Sequence, residues 1–320
     1  MTASIASAPF VFLALVFIAT PAAGQRTAGA TAPDAALAAL VAARLDSLDA
    51  QSSFYAKQLS TGREIAIRAD APMNTASIIK LPVMILAYRD AEAGRLNLDE
   101  RYTIRAEDVR RGTGLLQNFA VGLQPTLRDL VTQMIITSDN TATDIVIGKV
   151  GRDRVNRMLD SLGYRETRLR MTVGEVFAAQ QAYAGGPRDT SAAMRNFSFV
   201  LDSAQWLGRT TAREIARLFE QLERGELANA ANTAAMRRIL RQQMYATRLP
   251  QLVRARVTLG HKTGDWPPIL GNDAGIMYAP QPGGPIVIAV FTNANRGSFF
   301  DLEWAESRVA EDVLNAWVGK

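Results

Sequence analysis

The sequence predicts an α+β fold of the α/β-sandwich type, with an antiparallel five-stranded sheet, flanking terminal helices and an inserted all-α domain. Three observations lead to this prediction. Strand patterns occur near both ends of the chain, an amphipathic helix accompanies them at each end, and the middle is dominated by helical patterns. Two such parts meet in a cleft, and interfaces of this kind are common ligand sites.

The first 24 residues predict a signal peptide. They carry no charge, contain the apolar run Pro9–Ala19 and end in the small residues Ala22-Ala23-Gly24, a pattern typical of a secretory leader. The run is too short to cross a bilayer comfortably, although a buried anchor is the alternative. No cysteine follows to carry a lipid. We therefore expect a periplasmic or secreted mature chain without a stable membrane span.

The next elements are a helix and a hairpin. Asp34–Ala50 has apolar residues at helical spacing, and Ser53–Gln58 and Glu64–Arg68 are predicted as two strands around the turn Thr61-Gly62. These segments supply the first two strands of the predicted sheet and the helix that packs on it.

The middle of the chain favours helices, several of which end at a glycine. The predicted helices are Ile78–Ala93, Leu127–Ile136, Asn140–Val150, Arg152–Leu162 and Thr210–Arg224. Residues 178–209 have poor periodicity, which indicates a long loop or an extra short helix. Strand patterns then return at Val257–Lys262, Gly275–Tyr278 and Ile286–Thr292, and the chain closes with a helix over Leu302–Val318. We expect an α/β domain from 32–70 and 210–320, and an all-α domain from 71–209.

Composition excludes several kinds of chemistry. The 320 residues include no cysteine and one histidine, His261, so thiol nucleophiles, disulfides and multi-histidine zinc sites are ruled out. The net charge is only +5 despite a pI near 9.7, and the arginines are interleaved with apolar and acidic residues, which argues against a nucleic-acid surface. We expect a monomer that acts on a small molecule and needs no metal or organic cofactor.

The basic residues are divided unevenly between the two types. Lysine occurs five times among 36 basic residues, and two of the five are Lys80 and Lys262. A lysine can lose its proton and act as a base, whereas an arginine effectively cannot. The few lysines are therefore candidates for chemistry.

Ser77-Ile78-Ile79-Lys80 is the first candidate motif. Positions i and i+3 share one face at a helix start, so the Lys80 amine can lie beside the Ser77 hydroxyl. A lysine whose pKa is lowered by burial or by a second positive charge can activate such a nucleophile. The alternative for this pattern alone is a capping serine and a surface lysine.

Two further motifs follow. Ser138-Asp139-Asn140 separates two predicted helices, where its side chains either enter a cleft or simply cap a helix. Lys262-Thr263-Gly264 ends a predicted strand, where glycine allows close backbone approach and the other two residues offer donors to a carboxylate. A plain surface strand end is the alternative there.

The three motifs in this order and spacing resemble the class A serine β-lactamases and, more loosely, the penicillin-binding proteins, over almost the whole mature chain. Further matches are Ser138–Ala142, the run Thr167-Arg168-Leu169, and Asn272-Asp273 after the third motif. The resemblance implies a β-lactamase/transpeptidase-like fold, in agreement with the predicted elements. His261 is either a strand residue at the cleft wall or a base.

The resemblance also implies a role for each matching residue. Ser77 would form an acyl-enzyme with Lys80 as its base, and Ser138 would relay a proton to the departing nitrogen. The backbone N–H groups of Ser77 and Asp265 would form the oxyanion hole. The substrate would be held by Asn140 at its acylamino side chain and by Lys262, Thr263 and Gly264 near its carboxylate.

The pattern fails on the loop that activates the deacylating water in this family. Val173 stands where the family has its glutamate, and Glu175, two residues later, is either a substitute base or an exposed loop carboxylate. Asp144 replaces an asparagine that supports this loop. Asp265 and Trp266 stand where the family has small residues, so they either narrow the cleft and disfavour anionic substrates or point away.

Three functions therefore remain open at this stage. The first is a β-lactamase acting through Ser77. The second is a D-Ala-D-Ala peptidase or small-ester hydrolase acting on a peptidoglycan-like substrate. The third is a non-hydrolytic β-lactam-binding protein that is acylated once.

Overall fold

The structure is a computed structural model that describes residues 1–2, 32–183 and 192–319. The predicted signal peptide of residues 1–24 lies outside the described residues, apart from the first two. Within the described residues, no helix is both long enough and apolar enough to cross a membrane.

Among the described residues, five strands form one antiparallel sheet, and three strands of two or three residues form a second. In chain order the strands are β1 (Gln51–Gln58), β2 (Glu64–Ile67), β3 (Met73–Asn74), β4 (Arg168–Leu169), β5 (Gly208–Thr210), β6 (Thr258–Trp266), β7 (Leu270–Tyr278) and β8 (Pro285–Asn293). The large sheet has the order β2-β1-β8-β7-β6 and the small one β3-β5-β4. The predicted fold class is confirmed, and β6 lies at an edge of the large sheet.

Ten helices are described. They are α1 (Ala32–Asp46), α2 (Lys80–Glu92), α3 (Leu127–Ile136), α4 (Asn140–Val150), α5 (Arg152–Ser161), α6 (Val173–Ala182), α7 (Ala192–Leu201), α8 (Ala212–Arg224), α9 (Ala230–Leu240) and α10 (Phe299–Val318). A 3₁₀ turn over Ala76–Ile79 leads directly into α2.

The large sheet is covered on both faces, and β8 shows how. Ile286, Ile288 and Val290 belong to a core shared with α1 and α10. Val287 and Phe291 belong to a second core shared with α2 and α8. This alternation follows from the two-residue period of a strand, and full burial of both faces explains why β8 is almost continuously apolar.

Several elements differ from the sequence prediction. Residues 71–209 contain the short strands β3, β4 and β5, and the stretch with poor periodicity contains α7 and the end of α6. α9 is also an unpredicted helix. These elements are short or lack a clean apolar stripe, so packing against the rest of the fold determines them more than local pattern does. The proposed division at residues 71 and 210 stays a prediction.

Helix α2 positions the candidate base Lys80. Ten of its 13 residues are buried, including Lys80 at its first position. The turn Ala76–Ile79 packs against the edge strand β6, so a cleft opens where the helical part meets this edge.

Candidate active site

The candidate nucleophile, Ser77, lies in the 3₁₀ turn and is partly exposed to the cleft. The preceding Ala76 has a φ of +40°, a left-handed conformation that is uncommon for a residue with a side chain. The Asn74 side-chain oxygen accepts a hydrogen bond of 3.0 Å from the Ala76 N–H and holds this turn. Backbone strain of this kind is typical of functional sites, where the surroundings impose it.

Lys80 is completely buried and surrounded by oxygen atoms. Its Nζ lies 2.6 Å from the Ser138 carbonyl oxygen, 3.0 Å from Asn140 Oδ1 and 3.1 Å from Ser138 Oγ. Burial, and then the positive charge of Lys262, holds the pKa of Lys80 well below its usual range. In its neutral form, the Lys80 amine donates its two N–H groups to the Ser138 carbonyl oxygen and to Asn140 Oδ1. Its lone pair is then available to accept a proton.

Ser138 is placed between two lysines. It has a φ of +56°, and its hydroxyl oxygen lies 3.0 Å from Nζ of Lys262 as well as 3.1 Å from that of Lys80. Burial lowers the pKa of Lys262 to about 7, against the opposing effect of the Asp265 and Asp273 carboxylates. The three side chains therefore form a continuous path for a proton.

Asn140 is fixed from several directions. Its Nδ2 donates to the Arg111 carbonyl over 2.9 Å, and its Oδ1 accepts from Thr113 Oγ1 over 3.3 Å. Thr113 also donates to the Ser138 carbonyl over 2.7 Å. The glycines at 112 and 114, with φ of +98° and +103°, bring Thr113 against this motif. The sequence analysis did not identify Thr113 as a site residue.

The third motif lies on β6 and faces the nucleophile turn. A Cβ atom at Gly264 would lie 2.3 Å from the Thr75 carbonyl oxygen and 3.1 Å from the Ser77 nitrogen, so only glycine fits without a backbone shift. The neighbouring Thr263 Oγ1 is buried and has no hydrogen-bond partner among the described residues. A buried hydroxyl without a partner is costly, and a bound carboxylate would satisfy it.

Asp265 is held by a buried arginine. Arg248 Nη1 lies 2.7 Å from Asp265 Oδ1 and 3.2 Å from a Glu303 oxygen, and its Nε lies 3.8 Å from Glu306. Arg248 is 3% exposed, so its charge requires these carboxylates. The sequence reasoning missed Arg248, because it belongs to no local motif and meets Asp265 only in the folded chain.

His261 is not a base in the cleft. It is buried, and its Nδ1 lies 2.8 Å from Asp273 Oδ1 on the neighbouring strand. Along β6 its side chain is directed to the face opposite Lys262, as the two-residue period requires. The interpretation as a strand residue therefore fits the structure.

The assignment of Glu175 as a catalytic residue does not fit the structure. Its carboxylate accepts a 2.6 Å hydrogen bond from the Thr172 N–H, which caps the start of α6, and lies 3.2 Å from Arg152. The side chain is 51% exposed and is not among the residues that line the cleft. Residues 172–175 form a capping box, so Glu175 stabilises the helix rather than reaching Ser77.

The cleft beside Ser77 has a cavity volume of about 270 Å³. Its lining includes Ser77 of the first motif, Asn140 of the second and Asp265, which follows the third. Val173 and Phe177 of α6 line it as well. The described residues include no group of histidine and carboxylate side chains that could hold a metal ion. The arrangement is that of a nucleophilic serine served by buried lysines.

Comparison with known proteins agrees with this arrangement. The sequence model described as the β-lactamase enzyme family matches residues 33–317. The chain belongs to the β-lactamase enzyme family. Among its curated relatives, a β-lactamase of Streptomyces fradiae is 29% identical over 252 residues, which cover 76% of this chain and 74% of that protein. β-Lactamase L2 of Stenotrophomonas maltophilia is 29% identical over 294 residues, covering 90% and 88%.

Solved structures with the same fold include a β-lactamase and a second protein. A β-lactamase of Sphaerobacter thermophilus superposes with a TM-score of 0.74 at 28% identity, covering 89% of this chain and 97% of that one. A protein described as PBP-A superposes with a TM-score of 0.71 at 22% identity, covering 88% and 95%. The second likeness concerns the fold alone. In this chain, helix α6 begins shortly after Thr167-Arg168-Leu169, and Val173 at its start lines the cleft.

Proposed function

We propose that this chain is a serine β-lactamase that opens the β-lactam ring through an acyl-enzyme on Ser77. The observation that carries the proposal is a partly exposed serine one helical turn from Lys80, whose pKa is lowered by burial. A lowered pKa favours the neutral, basic form of the Lys80 amine, and a serine needs a base in order to become a nucleophile.

Acylation forms one bond and breaks another. The Ser77 oxygen attacks the lactam carbonyl while its proton passes to Lys80. The backbone N–H groups of Ser77 and Asp265 stabilise the charge on the carbonyl oxygen. The carbon–nitrogen bond of the ring then breaks, and the nitrogen takes a proton from Ser138, which regains one from Lys80. This sequence returns Lys80 to its neutral form.

Substrate binding uses the remaining motif residues. Lys262, protonated below about pH 7, and the unpaired hydroxyl of Thr263 are the donors for a carboxylate. Asn140 lies at the same cleft and offers its amide to the acylamino group of the substrate. Gly264 allows β6 to approach the nucleophile turn closely enough for one substrate to contact both.

Deacylation uses Lys80 a second time. Asp265 is the single carboxylate among the described residues that line the cleft, and Arg248 holds it. Glu175 lies elsewhere, so no carboxylate is free to activate water. A water molecule attacks the carbonyl carbon of the Ser77 ester while Lys80 takes a proton from it. The bond to the Ser77 oxygen then breaks, Lys80 returns the proton to that oxygen, and the product acid leaves.

Intact-protein mass spectrometry tests this proposal. The mature chain is mixed with benzylpenicillin and followed over time, beside absorbance loss of a chromogenic cephalosporin. We expect turnover that Ser77→Ala abolishes and that Ser203→Ala, a change outside the cleft, leaves intact. A permanent one-to-one adduct would instead indicate a β-lactam-binding protein. Absence of any adduct, with release of D-alanine from a peptide mimic or cleavage of a small ester, would indicate a peptidase or esterase.

We also propose that the mature protein is exported and acts as a monomer in a periplasm or outside the cell. The uncharged start, the apolar run Pro9–Ala19 and the small residues Ala22-Ala23-Gly24 support export. Fractionation of the producing cell and the N-terminal sequence of the purified protein test it. A cytoplasmic product that retains residues 1–24 would contradict the export proposal.

A further inference from the structure

The cleft wall beyond Ser77 is built from apolar side chains. α6 contributes Val173, Val176 and Phe177, and α7 contributes Phe199. Trp266, at the end of β6, lines the cleft beside them. The apolar side chains along this wall favour an apolar group over water.

Aromatic packing makes this wall rigid. The Trp266 ring centroid lies 6.2 Å from that of Phe177 and 5.7 Å from that of Phe199, both in tilted arrangements. Phe199 also meets Tyr183 edge to face at 5.4 Å. Contacts of this kind hold rings in fixed positions. The wall is therefore a preformed surface.

Two tryptophans line the cleft, Trp266 and Trp206, and the N–H groups of both already have partners. Trp266 Nε1 donates to Asn196 Oδ1 over 3.1 Å, and the same oxygen accepts from Gln180 Nε2 over 2.9 Å. Trp206 Nε1 donates to the Val200 carbonyl over 2.9 Å. Since these N–H groups are occupied, the rings offer apolar surface to a ligand.

Charge is nearly absent from the lining. Among the described residues that line the cleft, Asp265 carries the one ionised side chain, and its carboxylate lies 2.7 Å from Arg248 Nη1. A ligand charge entering this region would lose its water without gaining a partner, which is costly. The wall therefore selects an uncharged group.

We propose that these residues, Val173, Val176, Phe177, Phe199 and Trp266, form an aromatic pocket that binds an apolar, uncharged acyl side chain of the substrate, such as an arylacetyl group. The inference rests on the proposed acylation of Ser77. A cavity of ~150 Å³ is enough to hold benzene, and the cleft of about 270 Å³ accommodates one ring with its linking atoms.

Three penicillins that share one nucleus test the pocket. 6-Aminopenicillanic acid has no acyl side chain, benzylpenicillin has a phenylacetyl group, and ampicillin adds one ammonium group to that side chain. The second-order rate constant for acylation of Ser77 is measured by intact-protein mass spectrometry. Burial of the ring predicts a rate constant about tenfold or more above that of the unacylated nucleus, with ampicillin below benzylpenicillin.

A matched pair of variants places the effect in the pocket. Phe177→Ala removes one ring from the wall and is expected to reduce the preference for benzylpenicillin by about threefold or more. Phe197→Ala makes the same change on α7, at a ring that packs against Arg296 and does not line the cleft, and the preference is expected to remain. Thermal unfolding of both variants verifies that they fold.

Binding to Ser77→Ala separates this inference from the proposed function. In that variant no acyl-enzyme forms, and the pocket still predicts that benzylpenicillin raises the melting temperature more than the unacylated nucleus does. If benzylpenicillin binds more strongly than the unacylated nucleus but does not acylate the wild-type protein, the result supports the pocket and contradicts the β-lactamase mechanism. Equal rate constants for the three penicillins, or equal preferences in wild type and Phe177→Ala, would overturn the pocket.

Discussion

The Asp144 carboxylate accepts a 2.7 Å hydrogen bond from the backbone N–H of Val173. Its other oxygen accepts from the Gly174 N–H over 2.8 Å and pairs with Arg110 Nε at 2.7 Å. A carboxylate at a helix N-terminus satisfies N–H groups that have no partner inside the helix. Asp144 thus anchors α6 on α4 and directs Val173 into the cleft. Val173, at the position where the family resemblance implies a glutamate, is therefore the first residue of a capped helix.

This geometry predicts a gain of function at Val173. Val173→Glu places a carboxylate on the cleft wall beside the acyl-enzyme, where it can accept a proton from water. Because general base catalysis typically contributes about 10²–10⁴-fold, we expect the deacylation rate constant to rise by about 10²-fold. Single-turnover mass spectrometry of the adduct measures it.

Val173→Gln is the matched control for this change. It has nearly the same shape but cannot take a proton, so its adduct should decay no faster than that of the wild type. Equal acceleration by both variants would mean that loosened packing, and not a base, releases the product.

Lys262 predicts the pH dependence of acylation. Its pKa of about 7 means that it loses its charge as the pH rises through this value. The rate constant for an anionic penicillin should therefore fall by about tenfold per pH unit above this point. Lys262→Arg keeps its charge, so its profile should lack this alkaline decline. An unchanged decline in that variant would assign the titration to another group.

The same lysine affects stability with a definite sign. The folded pKa of about 7 lies below the ordinary value of 10.5, so the unfolded chain binds more protons between these two values. This group therefore makes the free energy of unfolding rise with pH across that window. Urea unfolding of wild type and Lys262→Met over the window measures the contribution, and equal slopes would contradict it.

Gly264 is expected to tolerate no side chain. A Cβ atom would lie 2.3 Å from the Thr75 carbonyl oxygen, and relief of that contact moves β6 away from Ser77. Gly264→Ala should cost about 1–3 kcal/mol of stability, and the misplaced oxyanion donors should slow acylation by about 10²-fold. Denaturant unfolding and acylation kinetics measure the two effects.

Gly148 supplies the contrasting control. It lies in α4, and nothing stands within 4 Å of the position that its Cβ would occupy. Gly148→Ala should stabilise the fold by about 0.5–1 kcal/mol and leave acylation unchanged. Destabilisation by this change and none by Gly264→Ala would refute the argument from close approach.

Asp265 is expected to weaken the binding of anionic substrates. Its carboxylate lies on the same strand as the carboxylate-binding donors Lys262 and Thr263, and like charges repel. Asp265→Asn should raise acylation by benzylpenicillin by about tenfold, measured well below pH 7 because loss of the Asp265 charge also lowers the pKa of Lys262. An uncharged ester of the same penicillin should gain no such advantage.

The comparison variant for this effect is Glu303→Gln. Glu303 also contacts Arg248, at 3.2 Å, but does not line the cleft. Its loss should change stability without favouring the anionic substrate. A similar gain from Glu303→Gln would show that release of Arg248, rather than removal of a repulsive charge, is responsible.

Local signals in the sequence determined much of the fold. Leu127–Ile136 and Asn140–Val150 begin and end as predicted, because Thr126 and Asp139 cap their first turns and Gly151 ends the second helix. Strand β8 was recognisable from its apolar run, and β1 from its place beside the turn Thr61-Gly62. Strand β6 was predicted to end at Lys262 but continues to Trp266, since pairing with β7 extends it beyond its apolar run.

The residues of the candidate site also fall into those that the sequence indicated and those that depend on tertiary contacts. Each motif alone left alternatives open, and the order and spacing of all three, with the family resemblance they carry, pointed to Ser77, Lys80, Ser138 and Lys262. Glu175 was misassigned because its capping box depends on where α6 begins, and this start is fixed by Asp144 from another helix.

The sequence by itself thus determined the fold class, the family resemblance and the residues of the three motifs, because these depend on short-range periodicity, capping and spacing. Only the tertiary structure decided the lowered pKa of Lys80, the pairing of Arg248 with Asp265, and the apolar wall at Val173 and Phe177. Each of these depends on burial or on contacts between residues far apart in the chain, and no local pattern records such contacts.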